Sequence, residues 1–341
     1  MNRRAFSAAL AAVPLTAQTG RRVRAAFLGA GHSHAYEKVR LVRSSPKYEL
    51  AGVWEPDSNV RASYARLGEI AWLDKKQILA DKSIEVVFVE SDVKTHAALA
   101  LETVTAGKHV HIEKPPAQTM DEFARIVHIA RDKKLHLQTG YMWRFNPAVM
   151  RAMEAAKKGW LGDIYLIHAR MNTLIDANRR PEWNLFPGGQ MYEQGAHLID
   201  IVVRLLGMPK RITPFLRHDG AFDDTLKDNT AAVLEFDRAM AIVISSVLQP
   251  AAGPHRALEI FGTKGTAVIR PIEPPALEID LAADAGPYIK GMQKVMLPRY
   301  ERYVGDINEM ADAIIEGRPL GTTLDQELAV QEVLLTASQM R

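Results

Sequence analysis

The sequence has no cysteine, which excludes disulfide bonds, zinc–thiolate sites and a cysteine nucleophile. It also has almost no excess of one charge, because 43 Lys and Arg residues are balanced by 40 Asp and Glu residues. A formal net charge of +3 gives no reason to expect a nucleic acid or a membrane surface as partner. We therefore expect a small-molecule ligand.

The apolar run near the N-terminus is short. It covers residues 8–15, far fewer than the roughly 20 residues that span a bilayer. It follows Arg3 and Arg4 and ends in a small, polar segment around Ala17, the order of a twin-arginine signal peptide. We predict that residues 1–20 direct export to the periplasm or the medium. A disordered leader on a cytoplasmic protein is the alternative.

From residue 21 onward, short apolar runs alternate with amphipathic stretches, a pattern typical of a parallel sheet with crossover helices. This pattern predicts a doubly wound Rossmann domain of the α/β class over residues 21–145. The predicted strands are 23–28, 48–54, 85–89, 109–112 and 135–138. The predicted helices are 35–43, 60–67, 95–106 and 121–133.

After residue 146 the pattern changes to longer alternating runs. We predict a second, α+β domain over residues 146–341, with a large, mainly antiparallel open sheet. Its predicted strands are 164–171, 231–236, 240–248, 257–261 and 276–281, with a turn at 262–265. Its predicted helices are 146–158, 189–206, 300–316 and 324–339.

A glycine-rich turn stands between the first predicted strand and the first predicted helix. Gly29 and Gly31 match the first two glycines of a dinucleotide fingerprint, where backbone amides at a helix N-terminus bind pyrophosphate. His32 and Ser33 fill the variable positions, and His34 replaces the third glycine, which serves helix–strand packing. We therefore predict that residues 29–34 bind a nicotinamide dinucleotide.

Glu55 ends the second predicted strand, where an acidic residue meets the adenosine ribose in this type of site. Its carboxylate would accept hydrogen bonds from both ribose hydroxyls and repel a 2′-phosphate. The sequence therefore favours NAD over NADP. The alternative is a solvated residue at a strand end.

Two further motifs resemble the glucose–fructose oxidoreductase, inositol dehydrogenase and rhizopine-catabolism (Gfo/Idh/MocA) family. They are residues 107–115, which contain Glu113-Lys114-Pro115, and residues 188–200, which contain Glu193 and His197. His96, residues 144–147 and the turn at 262–265 also look like that family, and the resemblance extends over nearly the whole chain from residue 22.

The resemblance implies roles for the residues in these motifs. Lys114 would contact the reacting hydroxyl, and His197 would accept its proton, as an imidazole that titrates near neutral pH can. Glu113, Lys114 and His96 would belong to the cofactor site. Glu193 would be a third catalytic residue. The family has Asp where this chain has Glu193, and the extra methylene puts the substrate in question. Asp200 could orient His197, or it could cap or salt-bridge the helix.

For the substrate pocket we predict Arg144, Trp183 and Tyr192, because sugar sites pair aromatic faces with polar groups. We predict no metal, since a cation at His32 and His34 would compete with the phosphate-binding amides.

The leading functional prediction is hydride transfer between a sugar or polyol hydroxyl carbon and nicotinamide. An NAD-dependent, redox-neutral glycoside hydrolase and a non-catalytic NAD- and sugar-binding protein are the alternatives, because fold does not fix function. By analogy with the family, we expect a homo-oligomer, either a dimer or a tetramer.

Overall fold

The computed structural model describes residues 20–341. The twin-arginine pair and the apolar run predicted as an export signal lie outside the described residues. Between residues 20 and 341, no helix combines the length and the apolarity needed to cross a membrane.

The first half of the described chain folds around a five-stranded parallel sheet. Its strand order is 2-1-3-4-5 in chain numbering, and the central strands are buried because helices cover both faces. This confirms the predicted Rossmann-like arrangement. The strands are β1 (Val23–Leu28), β2 (Tyr48–Trp54), β3 (Val86–Val89), β4 (His109–Ile112) and β5 (Leu137–Thr139).

Five helices connect these strands: α1 (Ala35–Ser44), α2 (Ser58–Ser63), α3 (Lys75–Ala80), α4 (His96–Thr105) and α5 (Met120–Asp132). The predicted helix at 60–67 is divided into α2 and a 3₁₀ turn at Ala65–Leu67. α3 was not predicted from the sequence, although Asp74 and Gln77 form a capping box at its start. Its six residues are too few to show a helical period.

The second half contains an eight-stranded sheet with the order 13-12-11-10-6-9-8-7 in chain numbering. All neighbouring pairs are antiparallel except the sixth and ninth strands, which confirms the mainly antiparallel sheet. The strands are β6 (Ile164–Arg170), β7 (Arg211–Arg217), β8 (Asn229–Glu235), β9 (Met240–Ser246), β10 (Ala257–Gly262), β11 (Gly265–Ile269), β12 (Leu277–Leu281) and β13 (Gly291–Lys294).

The sequence analysis missed β7, β11 and β13. β7 is an edge strand with Pro214 in its middle and charged residues at both ends, a composition that argues against a strand. β13 is the other edge and has only four residues. β11 follows β10 directly after the predicted turn, and Gly262 pairs with Gly265 at the end of this hairpin. The sequence pattern predicted only the first strand of the hairpin and the turn.

The helices of the second half are α6 (Pro147–Lys157), α7 (Arg180–Trp183), α8 (Ala196–Leu206), α9 (Val304–Glu316) and α10 (Leu324–Ala337). The predicted helix at 189–206 instead comprises a π-helical turn at Met191–Gly195 followed by α8. α9 begins later than predicted because Tyr303 adopts a φ of +67°. α9 contacts β1 and α1, while α10 contacts both α5 and α8, so the closing helices join the two halves.

Arg144 lies at this junction. Its buried guanidinium donates to Asp200 at 2.7 Å and to Glu327 at 2.6 and 2.8 Å, which ties the crossover segment to α8 and α10. Arg144 lines neither of the cavities described below. The structure thus places Arg144 in a buried ion-pair network and gives Asp200 the salt-bridge alternative. A contact between Arg144 and substrate stays a prediction.

We expect Arg144→Ala to lower the free energy of unfolding by about 3–5 kcal/mol, because two buried carboxylates would lose their shared cation. Urea denaturation measures this loss. The matched control is Arg151→Ala, which removes an exposed pair with Glu154 and should cost less than about 0.5 kcal/mol. Equal losses in the two variants would contradict the proposed role of the buried network.

Candidate functional site

Residues 29–34, which we call the glycine turn, connect β1 to α1 at the carboxyl edge of the parallel sheet. Gly29 has a φ of +87°, and a Cβ atom there would lie 2.4 Å from the Cα atom of Ser91, so the fold requires glycine. At Gly31 a Cβ atom would meet only Asp92 Oδ1, at 3.3 Å. The fold tolerates a side chain at 31 better than at 29, and glycine there keeps the space beside the turn open.

A first cavity of about 370 Å³ lies beside the glycine turn. Gly29, Gly31 and Glu55 contribute to its wall. The Glu55 carboxylate accepts hydrogen bonds from the N–H groups of Ala30 at 2.7 Å and Asp57 at 2.9 Å. An open backbone turn and a carboxylate on one cavity fit the pyrophosphate and the adenosine ribose of a dinucleotide.

His34, which replaces the third glycine, lies with Nδ1 3.0 Å from Glu113 Oε1. The fully buried Glu113 carboxylate also accepts hydrogen bonds from Lys38 Nζ at 2.5 Å and from the N–H of Lys114 at 2.8 Å. A Cβ atom at Gly140 would lie 2.7 Å from Glu113 Oε1, so glycine makes room for this carboxylate. Glu113 lines neither cavity and instead holds the glycine turn, α1 and the end of β4 together.

Lys38 is central to this buried network and was not among the predicted site residues. Its Nζ atom lies 2.8 Å from both Glu90 Oε1 and His111 Nε2. The sequence did carry a signal, because Lys38 stands beside Val39 on the apolar stripe that buries α1. A lysine on such a stripe needs a buried partner.

Burial shifts the titration of the carboxylates around Lys38. Burial alone would raise the pKa of Glu113, but Lys38 and the neighbouring histidines outweigh it and hold that pKa well below its ordinary value. Burial raises the pKa of Glu90 to about 8 and that of Asp306 to about 7, against the attraction of Lys38. Glu113 therefore carries the charge that balances Lys38 at neutral pH.

A second cavity of about 170 Å³ lies where the glycine turn, the end of β4 and the π-helical turn meet. Lys114 Nζ donates to the carbonyl oxygen of Glu193 at 3.0 Å and lies 3.6 Å from Glu193 Oε1. These two residues are 79 positions apart in sequence, so the two family motifs meet here. The predicted site residues that line this cavity are His32, Ser33, His34, Lys114, Trp183, Glu193 and His197.

His197 stands in the first turn of α8, directly after the π-helical turn that carries Glu193. Its ring packs 5.0 Å from the ring of Trp143, between centroids. Among the described residues, His197 Nδ1 and Glu193 Oε2 are buried without a hydrogen-bond partner. Burial and the charge of Lys114 hold the pKa of His197 well below its ordinary value, so its imidazole is neutral and can accept a proton.

Burial has the opposite effect on the carboxyl group of Glu193. It raises the pKa of Glu193, although Lys114 acts against the shift. Next to the glycine turn, the cavity therefore brings together the ammonium of Lys114, the neutral imidazole of His197 and a Glu193 carboxyl group with a tendency to hold its proton.

Two other predicted site residues face the protein rather than a cavity. The ring nitrogens of His96 lie 2.9 Å from the carbonyl oxygens of Pro115 and Ser91, so His96 joins the loops after β3 and β4. The hydroxyl of Tyr192 donates to the carbonyl oxygen of Ala117 at 2.7 Å. Both side chains are buried and line neither cavity, which makes them supports for the site in this structure.

Within residues 20–341, two groups of side chains bring metal-ligand atoms within 4.8 Å of one another: His32, the half-buried His34 and Glu113, and the buried Glu90, His111 and Glu113. The sequence analysis did not foresee either group. Lys38 Nζ contacts all three members of the second group, so its ammonium occupies the position of the cation there. In the first group it contacts Glu113. The absence of a metal stays a prediction.

Two family models match the chain. The oxidoreductase family with an NAD-binding Rossmann fold matches residues 23–141, and the GFO/IDH/MocA C-terminal domain matches residues 149–268. Fold and site thus define an oxidoreductase of the NAD-binding Rossmann class. Within that class, the chain belongs to the Gfo/Idh/MocA family, as its motifs predicted.

Similar curated proteins include dehydrogenases of cyclic polyols. The scyllo-inositol 2-dehydrogenase (NAD(+)) of Bacillus subtilis is 25% identical over 336 residues, which are 94% of each chain. An uncharacterized oxidoreductase of Schizosaccharomyces pombe is 28% identical over 200 residues, which are 56% of this chain and 53% of that relative. The match thus spans about half the length of the second relative.

Solved structures of the same fold include two with a bound dinucleotide. Levoglucosan dehydrogenase in complex with NADH and levoglucosan has a TM-score of 0.78 and 19% identity, covering 94% of this chain and 98% of that one. GenD2 from gentamicin A biosynthesis in complex with NAD has a TM-score of 0.79 and 23% identity, covering 97% of each chain. At these identities the likeness shows the fold alone.

We expect Gly31→Val to weaken NAD binding more than tenfold, about 1.4 kcal/mol or more, because its side chain would occupy the space beside the phosphate-binding amides. Fluorescence titration measures the affinity, and thermal unfolding checks the fold. The control is Gly253→Val, at a glycine where a Cβ atom meets no atom within 4 Å. Unchanged affinity in Gly31→Val would contradict the assignment of the turn.

We also expect Asp306→Asn to change how stability depends on pH. The folded pKa of Asp306, about 7, exceeds its ordinary 3.8, so the folded chain keeps a proton that the unfolded chain has released. Because of this group, the free energy of unfolding of wild type falls as pH rises from about 4 to about 7. Asparagine does not titrate and has no such effect. Between about pH 5 and about pH 8, the variant should gain about 2 kcal/mol relative to wild type. Urea denaturation that shows a constant difference would contradict the buried titration.

Proposed function

We propose that the chain oxidises a hydroxyl-bearing carbon of a sugar or polyol, with NAD as hydride acceptor and Lys114 and His197 handling the hydroxyl proton. The observation that carries this proposal is the meeting of Lys114, Glu193 and neutral His197 in one cavity beside the glycine turn. When bound, the nicotinamide supplies the site that takes the hydride from carbon. The residues of the chain then have to orient the hydroxyl and remove its proton.

Lys114 is suited to orienting the hydroxyl. The residue is 4% exposed, and its ammonium donates to the carbonyl oxygen of Glu193, which holds it at the wall of the cavity. A positive charge beside the hydroxyl oxygen stabilises the negative charge that develops as hydride leaves the carbon. The ammonium therefore acts on the transition state more than on the bound alcohol.

His197 is suited to removing the proton of the hydroxyl. A neutral imidazole can take the hydroxyl proton, and Nδ1 has no partner among the described residues that would hold it in another role. The proton passes from the hydroxyl oxygen to His197 while the two electrons of the C–H bond leave with the hydride. The low pKa of His197 then favours release of that proton to solvent.

Glu193 supports the alternative of a redox-neutral glycoside hydrolase. Its raised pKa makes it a carboxyl group that could protonate a leaving glycosidic oxygen. In that reaction the hydride returns to the sugar and NAD is regenerated. A panel of polyols, sugars and aryl glycosides separates the two reactions, because the dehydrogenase consumes NAD and the hydrolase does not.

We further propose NAD in preference to NADP, because the Glu55 carboxylate would repel a 2′-phosphate. Mass spectrometry of the purified, denatured protein would identify which dinucleotide accompanies it.

A homo-oligomer is supported by the outer face of the eight-stranded sheet. There Phe215, Val233 and Ile242 are exposed or half-buried, whereas the alternate residues of their strands point into the core. An apolar sheet face of this kind is typical of a surface that another chain covers.

For the catalytic assignment, we expect Lys114→Ala and His197→Ala each to lower kcat by about 10²–10⁴ while NAD affinity stays nearly constant. The double variant should be little worse than the poorer single variant, because residues that act as one unit lose most of their effect together. The control is His128→Ala, whose side chain is 74% exposed on α5. Full activity in His197→Ala would reassign the proton acceptor.

A further inference from the structure

The second cavity carries more positive charge than the proposed proton chemistry uses. Besides Lys114, three arginines line it: Arg179, Arg256 and Arg302. They come from three separate segments of the second half, which precede α7, β10 and α9. Their convergence on one cavity suggests a shared ligand.

The carboxylates of the cavity satisfy only part of this charge. Arg302 donates two hydrogen bonds to Glu273, one of them at 2.7 Å, and Glu193 is the partner of Lys114. Within residues 20–341, no carboxylate oxygen lies within 4.0 Å of a guanidinium nitrogen of Arg179 or Arg256. Glu182, the remaining lining carboxylate, is exposed and pairs with neither.

Of these two arginines, Arg256 gives the stronger indication of a bound anion. It is half-buried, and its Nε donates to the carbonyl oxygen of Asn172 at 3.0 Å, which fixes the base of the guanidinium. Burial lowers the pKa of Arg256, and Arg302 lowers it further, while Glu273 acts in the opposite direction. A partly buried cation without a paired anion is costly unless a ligand supplies the counter-charge.

Arg179 is exposed and lies with its guanidinium carbon 5.6 Å from the ring centroid of Trp183, which also lines the cavity. This stacking leaves the edge of the guanidinium free for hydrogen bonds, the geometry in which arginine binds an oxyanion. The cavity thus has a fixed arginine and a stacked arginine, both without carboxylate partners among the described residues.

We propose that the second cavity takes an anionic sugar derivative, whose oxyanion, a carboxylate or a phosphate ester, binds Arg256 and Arg179. This inference rests on the proposed function, since it names the substrate class of the same site. The hydroxyl that reacts lies at the Lys114 and His197 end, and the oxyanion at the arginine end. A neutral polyol would leave Arg256 without its counter-charge.

The test compares compounds that differ in charge. A uronic acid and its methyl ester have nearly the same shape, and a sugar phosphate with its parent sugar forms the second pair. Calorimetric affinity for the NAD-loaded protein and kcat/KM are both measured for each compound. We expect the acid or the phosphate to exceed its neutral partner by roughly 10- to 100-fold, the effect of charge-assisted hydrogen bonds. The pair with the larger ratio of charged to neutral compound shows whether the oxyanion is a carboxylate or a phosphate.

The variants are Arg256→Gln and Arg256→Lys, with Arg179→Gln as a second position whose exposure protects the fold. Arg256→Gln should reduce the acid-to-neutral ratio to within about twofold of one, and Arg256→Lys should restore part of it. The control is Arg238→Gln, an arginine that is 83% exposed and outside the cavity. In that control the ratio should equal that of wild type.

Two results would overturn the proposal: a wild-type ratio near one for both pairs, or an equal loss for charged and neutral compounds in the Arg256 and Arg179 variants. The affinity measurement does not depend on turnover. A strong preference for the anion without oxidation of any compound would therefore reject the proposed function and leave the anion site standing. Oxidation of the compounds without a preference for the anion would reject the anion site and leave the proposed function standing.

Discussion

The ion pair between Lys38 and Glu113, buried behind the glycine turn, holds the parts of the site in register. Glu113 also accepts the N–H of Lys114 and lies beside the ring of His34, so one carboxylate joins α1, the glycine turn and the residue proposed to act on the hydroxyl. Removing either partner would leave a buried charge without compensation. The predicted cofactor turn and the proposed catalytic lysine are therefore linked through one carboxylate.

In the proposed function, the two ends of the second cavity carry different kinds of charged group, one for proton transfer and one for binding the substrate. At one end, burial lowers the pKa of His197 and raises that of Glu193, so both groups are suited to the proton transfer of the proposed reaction. At the other end, Arg256 keeps its charge but has no carboxylate partner among the described residues. Proton transfer needs groups that change charge, whereas substrate binding needs a charge that stays.

The sequence predicted the parts of the fold that depend on local pattern. β1 was placed at its observed bounds because it is a short, mainly apolar run before a glycine-rich turn. β7 was missed because Pro214 breaks that pattern at a sheet edge. The π-helical turn at Met191–Gly195 was missed because an acidic residue four positions before His197 suits an α-helix equally well.

The candidate site was predictable where a motif fixes the chemistry and uncertain where only residue type was available. Lys114, Glu193 and His197 line one cavity, as the family motifs implied. Arg144 could not be placed from its residue type, because an arginine suits a buried ion pair as well as a substrate contact, and its ion pairs depend on Asp200 and Glu327, which are distant in sequence. Lys38 was missed because its partners come from β3 and β4, distant in sequence.

The central claim is that hydride passes from a substrate carbon to NAD in the second cavity. The most direct measurement uses the compound with the highest turnover, deuterated at the carbon that is oxidised, in a single turnover with the NAD-loaded protein. Mass spectrometry then follows the deuterium in the dinucleotide and the product. The account predicts deuterium on the nicotinamide and a ketone or aldehyde product without it. Substrate conversion in which deuterium never reaches the nicotinamide would contradict the account.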